Sequence, residues 1–415
     1  MRRVVRTKSL TPKCASKLSK RRPMMAGATP SALAAAVKLP FKATDTKDSK
    51  ALSLSMAELS TGRQHTRRPK IDSMNTQAST HRPSRITRAI ALLEYLAPTW
   101  FAMVMGWCGL SQAWLRATDI FGDSALGLGL VAAIFAQVIF ALLCLACIVR
   151  LQAHPNAVAA DMRHPVRHAF MATLPISILL LASLGINLFW GTNRSLDTAL
   201  TFLWCTGSIL EIAATVWVIE RWLNKAENGG LQWATFTPVF FIPVVGNVLA
   251  PLGGVSIGLE AWATAQFGIG IFLWVVLQTL MFVRLAQAGP LPARLAPSWF
   301  ITLVPPSIGG LSLLQLDAPL TLVWMTWGLG AFFLMVAMTQ IATIREQPFS
   351  MAHWGMSFPL AAFTSLTLRM THAPGGAWLQ MPATLLLAVT SLLILGLTLG
   401  TWRGLRHGHL LVPDK

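Results

Sequence analysis

SALGLGLVAAIFAQVIFALLCLACIV, residues 124–149, runs for 26 residues without an Asp, Glu, Lys or Arg. Wound as an α-helix at 1.5 Å per residue it reaches about 39 Å, more than the roughly 30 Å hydrocarbon core of a bilayer. A transmembrane strand would instead show about ten residues of alternating polarity. This stretch predicts a membrane-crossing helix, and the whole chain reads as an all-α integral membrane protein.

Working outward, nine similar stretches follow the same rule: 95–115, 169–193, 198–219, 235–258, 261–283, 296–316, 318–344, 350–368 and 377–402, with Glu211 the one charged interruption. Ten transmembrane helices with short connections are expected. Positive residues orient them. With the N-terminus in the cytoplasm, that side holds Arg150, Arg163, Arg167, Arg221, Lys225, Arg284, Arg294, Arg345, Arg403, Arg406 and Lys415, and the other side only Arg116, Arg194 and Arg369. Both termini are therefore expected to be cytoplasmic, in a multi-pass protein of the plasma (inner) membrane.

Charge divides the chain. Twenty of its 34 Lys and Arg lie before residue 89, so residues 1–88 carry about +16 and the other 327 residues +2. The tail is rich in Ser, Thr and Pro, poor in aromatics, and expected to be disordered, because it has too little apolar surface to offset its ordering entropy. Three readings of it stay open: a transit peptide, a start assigned upstream of Met56 or Met74, and a polybasic arm on anionic lipid. The membrane domain is expected over 89–408, and a short cytoplasmic tail over 409–415. The basic charge is not on a folded domain, so no nucleic-acid partner is expected. Five cysteines give no disulfide framework, and Cys144-x-x-Cys147 has no companion ligands. No metal, cofactor or enzymatic motif is expected.

The odd-numbered stretches each carry proline near their first half: Pro98, Pro175, Pro243, the pair Pro305–Pro306, and Pro359. The intervals are 77, 68, 62 and 54 residues, one per pair of stretches. Proline removes a backbone donor and kinks a helix, which a membrane tolerates beside water or a neighbouring helix. Five helical hairpins follow, with kinked odd helices around a shared axis and straight even helices outside.

The loop HPNAVAADMRHPVRHAF (154–170), with APTWFAMVMGWCGL from Ala97, TPVFFIPVVGNVLAP from Thr237 and FSMAHWGMSFPLAAFTSLTL from Phe349, resembles the tellurite-resistance/dicarboxylate transporter family, which includes plant slow anion channels. The resemblance implies ten helices around a central pore, a homotrimer with one pore per protomer, and Phe358 as the ring that plugs the pore.

Three further features are singled out. Glu211 interrupts an apolar span, where a charge costs about 2.5–3.5 kcal/mol on insertion scales; it reads as a proton site, or as a structural glutamate on an outer helix. Arg163, His164 and Arg167 cluster at the entry to the third span, as a cytoplasmic vestibule or as ordinary topology signals. Asn247 is a polar group on an odd helix, a pore-lining donor. The expected function is a channel or transporter that passes small inorganic anions, oxyanions or dicarboxylates through a phenylalanine-gated pore, with tellurite resistance as the family's label. The alternative is a proton-coupled anion exporter that uses Glu211.

Overall fold

The computed structural model describes residues 90–223 and 232–412. The basic tail expected over 1–88 falls outside them. The described residues form helices and connecting turns, with no strand. Seven helices are long and apolar enough to cross a membrane. Five segments lie inside and five helices outside.

The outer helices are α2 (Asp123–Ala153), α4 (Arg194–Leu223), α6 (Glu260–Ala288), α8 (Leu320–Met338) and α10 (Gln380–Arg406). Their apolar windows are only 17–33% buried. Side chains such as Ile134, Phe202, Met325 and Leu392 are more than half exposed. Apolar surface on this scale is stable only against lipid or a partner.

The inner helices are α1 (Ala102–Arg116), α3 (Thr173–Phe189), α5 (Ile242–Leu249), α7 (Val304–Gln315) and α9 (Ser357–Met370). The stretches that contain α3 and α7 are 72% and 83% buried, the inverse of the outer set. Each inner helix packs against the next, α1 on α3, α3 on α5, α5 on α7, α7 on α9, and α9 returns to α1, so the ring closes. Each outer helix packs on the inner helix that precedes it in the chain.

Every inner helix is entered through a 3₁₀ segment: Pro98–Phe101, Arg167–Ala172, Pro238–Phe241, Ala293–Leu303 and Met351–Met356. Proline then falls in the first α-helical turn at Pro175, Pro243, Pro305 and Pro359, while Pro98 opens the 3₁₀ turn itself. These positions lie near the start of each inner run, as the sequence spacing implies. Each 3₁₀ segment runs directly into its α-helix, so these prolines stand where the winding changes. The stretches of α1, α5 and α9 are not among the seven, and that of α5 holds a shorter apolar helix, Pro238–Gly254.

The loop after α2 folds as a short helix, Pro155–Arg163, with proline at its start. Asp161 pins it from the inside. Its carboxylate meets Arg150 at 2.7 Å and Arg167 at 2.8 Å while only 2% exposed.

Candidate functional site

The ring encloses a cavity at each end. The first, about 70 Å³, is lined by the entry segments of all five inner helices. Its surface is apolar apart from the hydroxyls of Thr99, Thr173 and Ser298. The Thr173 hydroxyl donates to the Pro98 and Phe170 carbonyls, which ties the first two entry segments together. Phe358 and Pro359 line this cavity. The second cavity, about 470 Å³, is lined by the last turns of α1, α3, α7 and α9, by Leu252 in the short helix Pro251–Gly254 that follows α5, and by Thr118 and Leu126, and it is polar, with Gln112, Arg116, Asn187, Gln315 and Arg369.

Phe358 is 3% exposed and sits on the first turn of α9. Two glycines on α1 let α9 approach. A β-carbon on Gly106 would lie 2.5 Å from Ser357 Oγ, and one on Gly109 would lie 3.2 Å from the Phe358 ring. The sequence reading passed over both. The available signal was their spacing, three residues apart on an inner helix, which puts them on one face. Ser357 donates to the Trp354 carbonyl at the 3₁₀–α junction, and Trp354 Nε1 donates to Thr401 on α10. Phe358 therefore rides on a junction held from two sides.

Asn247 lines neither cavity. Its amide donates to Thr215 Oγ1 at 2.7 Å and to the Pro243 carbonyl at 2.8 Å, and its oxygen accepts from Gln266. Gln266 in turn accepts from the Ser208 hydroxyl at 2.6 Å, and Trp262 donates to that hydroxyl. This lateral polar network joins α4, α5 and α6. Gln266 carried no sequence expectation, because a single amide in a long apolar helix does not reveal which way it faces.

Glu211 belongs to the same face of α4, one turn from Ser208 and from Thr215. It is fully buried, and its carboxyl lies against Gly246 on α5. Neither carboxyl oxygen has a hydrogen-bond partner among the described residues. α4 is an outer helix, but the face that carries Glu211 points inward, onto α5.

Of the basic cluster, Arg167 lines a side cavity with Arg150, Asp161 and Glu94 rather than the axial one. Arg163 donates to the Ala159 carbonyl on its own helix. His164 Nδ1 accepts from the backbone N–H groups of Val166 and Arg167. Burial and the Arg167 charge lower the His164 imidazole below its ordinary range, against the opposing pull of Asp161. Among the described residues no group of His, Cys, Asp and Glu is arranged to hold a metal ion.

Three relatives place this architecture. An uncharacterized transporter of Methanocaldococcus jannaschii is 25% identical over 66% of this chain and 83% of its own length. An S-type anion channel of Arabidopsis thaliana is 26% identical over 59% of this chain and 46% of its own. A tellurite resistance protein TehA homolog of Haemophilus influenzae is 23% identical over 66% of this chain and 80% of its own. A family model described as a voltage-dependent anion channel matches residues 95–402, from the first entry segment through α10. That match takes in the closed ring and both of its cavities, and the chain belongs to the voltage-dependent anion channel family.

Proposed function

We propose that this multi-pass membrane protein is an anion channel in which ten helices, arranged as five hairpins, surround one pore along the axis of the inner ring. The observation that carries the reading is the closed ring with a cavity at each end, lined at both ends by all five inner segments. Phe358 is the gate. Its ring lines the small apolar cavity, where an anion would have to shed water with little to replace it, since the Thr173 and Ser298 hydroxyls already donate to backbone carbonyls. Hydrophobic constrictions gate by dewetting, and weak sites let the ion leave. Small inorganic anions, oxyanions and dicarboxylates are the candidate permeants, and tellurite resistance is a physiological role within that class. The protein assembles as a homotrimer in the plasma membrane with both termini cytoplasmic, and residues 1–88 and 409–415 lie outside the membrane domain. The test is purified full-length protein in a planar bilayer under a chloride or nitrate gradient. A reversal potential that follows the anion gradient supports the channel.

A second reading has its own observation. The Glu211 carboxyl is fully buried without a hydrogen-bond partner among the described residues, as a proton carrier in a coupled exporter would be. Anion current that vanishes without a proton gradient would favour the exporter; current that persists favours the channel.

A further inference from the structure

Only three arginines lie on the sparsely charged side of the sequence map, and two of them, Arg116 and Arg369, line the second cavity. They come from the last turns of α1 and α9, which pack against each other. No carboxylate lines this cavity, and neither arginine has an acidic partner among the described residues. Asp119, next in the chain to the lining residue Thr118, faces His372 at 3.4 Å instead.

The site is built rather than loose. Arg116 Nη1 donates to both the backbone and the side-chain oxygen of Gln112, at 3.0 and 2.7 Å. Asn187 donates to the same side-chain oxygen at 3.2 Å. Gln112 is buried, so it fixes the guanidinium through one nitrogen and leaves the Nε and Nη2 edge without a partner among the described residues. That edge presents two parallel N–H groups, a fork that matches two oxygens of one anion, whereas a monatomic halide offers a single atom for both.

We infer that Arg116 and Arg369 form an anion-recognition site that takes oxyanions and carboxylates in preference to halides, at the end of the ring opposite Phe358. This rests on the channel reading for its place on the permeation path, but not for its binding chemistry. One end of the ring then selects by paired hydrogen bonds and the other by dehydration.

The test uses the full chain in detergent, with sodium nitrate and sodium chloride at equal ionic strength. Nitrate should raise the thermal unfolding midpoint at lower concentration than chloride does. In Arg116→Gln/Arg369→Gln the nitrate concentration for half the effect should rise at least about tenfold, as expected for lost charge-assisted bonds. Arg116→Lys, which keeps charge without the fork, should fall between. The single variant Arg369→Gln, at an exposed residue, serves if the double variant does not fold. An equal response to nitrate and chloride, no nitrate response in wild type, or the same nitrate response in the arginine variants overturns the site. Bilayer recordings separate this from the channel reading. Arginine-dependent nitrate protection without wild-type current keeps the site and removes the channel. Current with an unchanged nitrate-to-chloride ratio and unchanged nitrate protection keeps the channel and removes the site.

Discussion

The side chain of Glu211 occupies the space that a β-carbon on Gly246 would need. The outer helix α4 can carry a buried carboxyl only because the inner helix α5 offers bare backbone there. Gly246→Ala should therefore destabilise the protein by about 1–3 kcal/mol, the usual range for overpacking. Glu211→Gln keeps the shape and should leave thermal stability nearly unchanged. Transport by Glu211→Gln should match wild type across the acidic to neutral range if the protein is a channel. Loss of a pH dependence that wild type shows would favour the exporter.

Phe358→Ala should raise anion conductance several-fold in bilayers while protein level holds, because removing the ring leaves a wetted opening. Phe358→Leu should fall between. If Phe358 is a packing residue only, the Ala variant should lose about 3–5 kcal/mol instead. Unchanged conductance with a markedly lower unfolding midpoint would return it to the core.

Asp161→Asn removes the one carboxylate shared by Arg150 and Arg167. Arg150 is nearly fully buried, so losing its partner should cost about 3–5 kcal/mol. Arg167 is about one-third exposed, and Arg167→Gln should cost well under half of that. Thermal unfolding of the two variants side by side gives the comparison.

His164 sets a pH response outside the membrane. Its folded-state pKa is lowered, so the neutral ring is favoured in the fold. The stability it contributes is present above the ordinary imidazole range and is lost as pH falls through the folded value. Mild acid should loosen the loop in wild type, and His164→Asn should flatten that response. Amide hydrogen exchange at Val166 and Arg167 would read it directly.

Deleting residues 1–73 should leave membrane insertion and oligomer size intact, since almost all of the chain's excess positive charge and none of its spanning stretches lie before residue 89. Loss of folded protein would give the tail a structural role. A reporter fused after Lys415 should be active only on the cytoplasmic side.

The membrane class and the inner-outer distinction were legible because lipid imposes long uncharged runs and because proline recurs at the start of every inner segment. The side of the helix a polar residue occupies was not. Asn247 was expected on the pore and is engaged by Thr215 and Gln266 between helices. Glu211 was placed on an outer helix, and nothing in the sequence showed that its face turns inward to Gly246. Arg116 and Arg369 were counted only as topology signals, and only packing brings together two residues 253 positions apart. Single polar groups in apolar helices carry no periodicity from which a direction could be read.

The parallel run of the five inner helices has an electrical consequence. All five α-helical N-termini converge on the first cavity, and each contributes the equivalent of about half a positive charge from its aligned peptide dipoles. The apolar entrance around Phe358 thus sits in a positive field although no basic side chain lines it. At the far end the helix C-termini would reverse the sign, and there the last turns of α1 and α9 carry Arg116 and Arg369. Backbone dipoles at one mouth and guanidinium groups at the other keep the potential along the axis attractive to an anion from end to end.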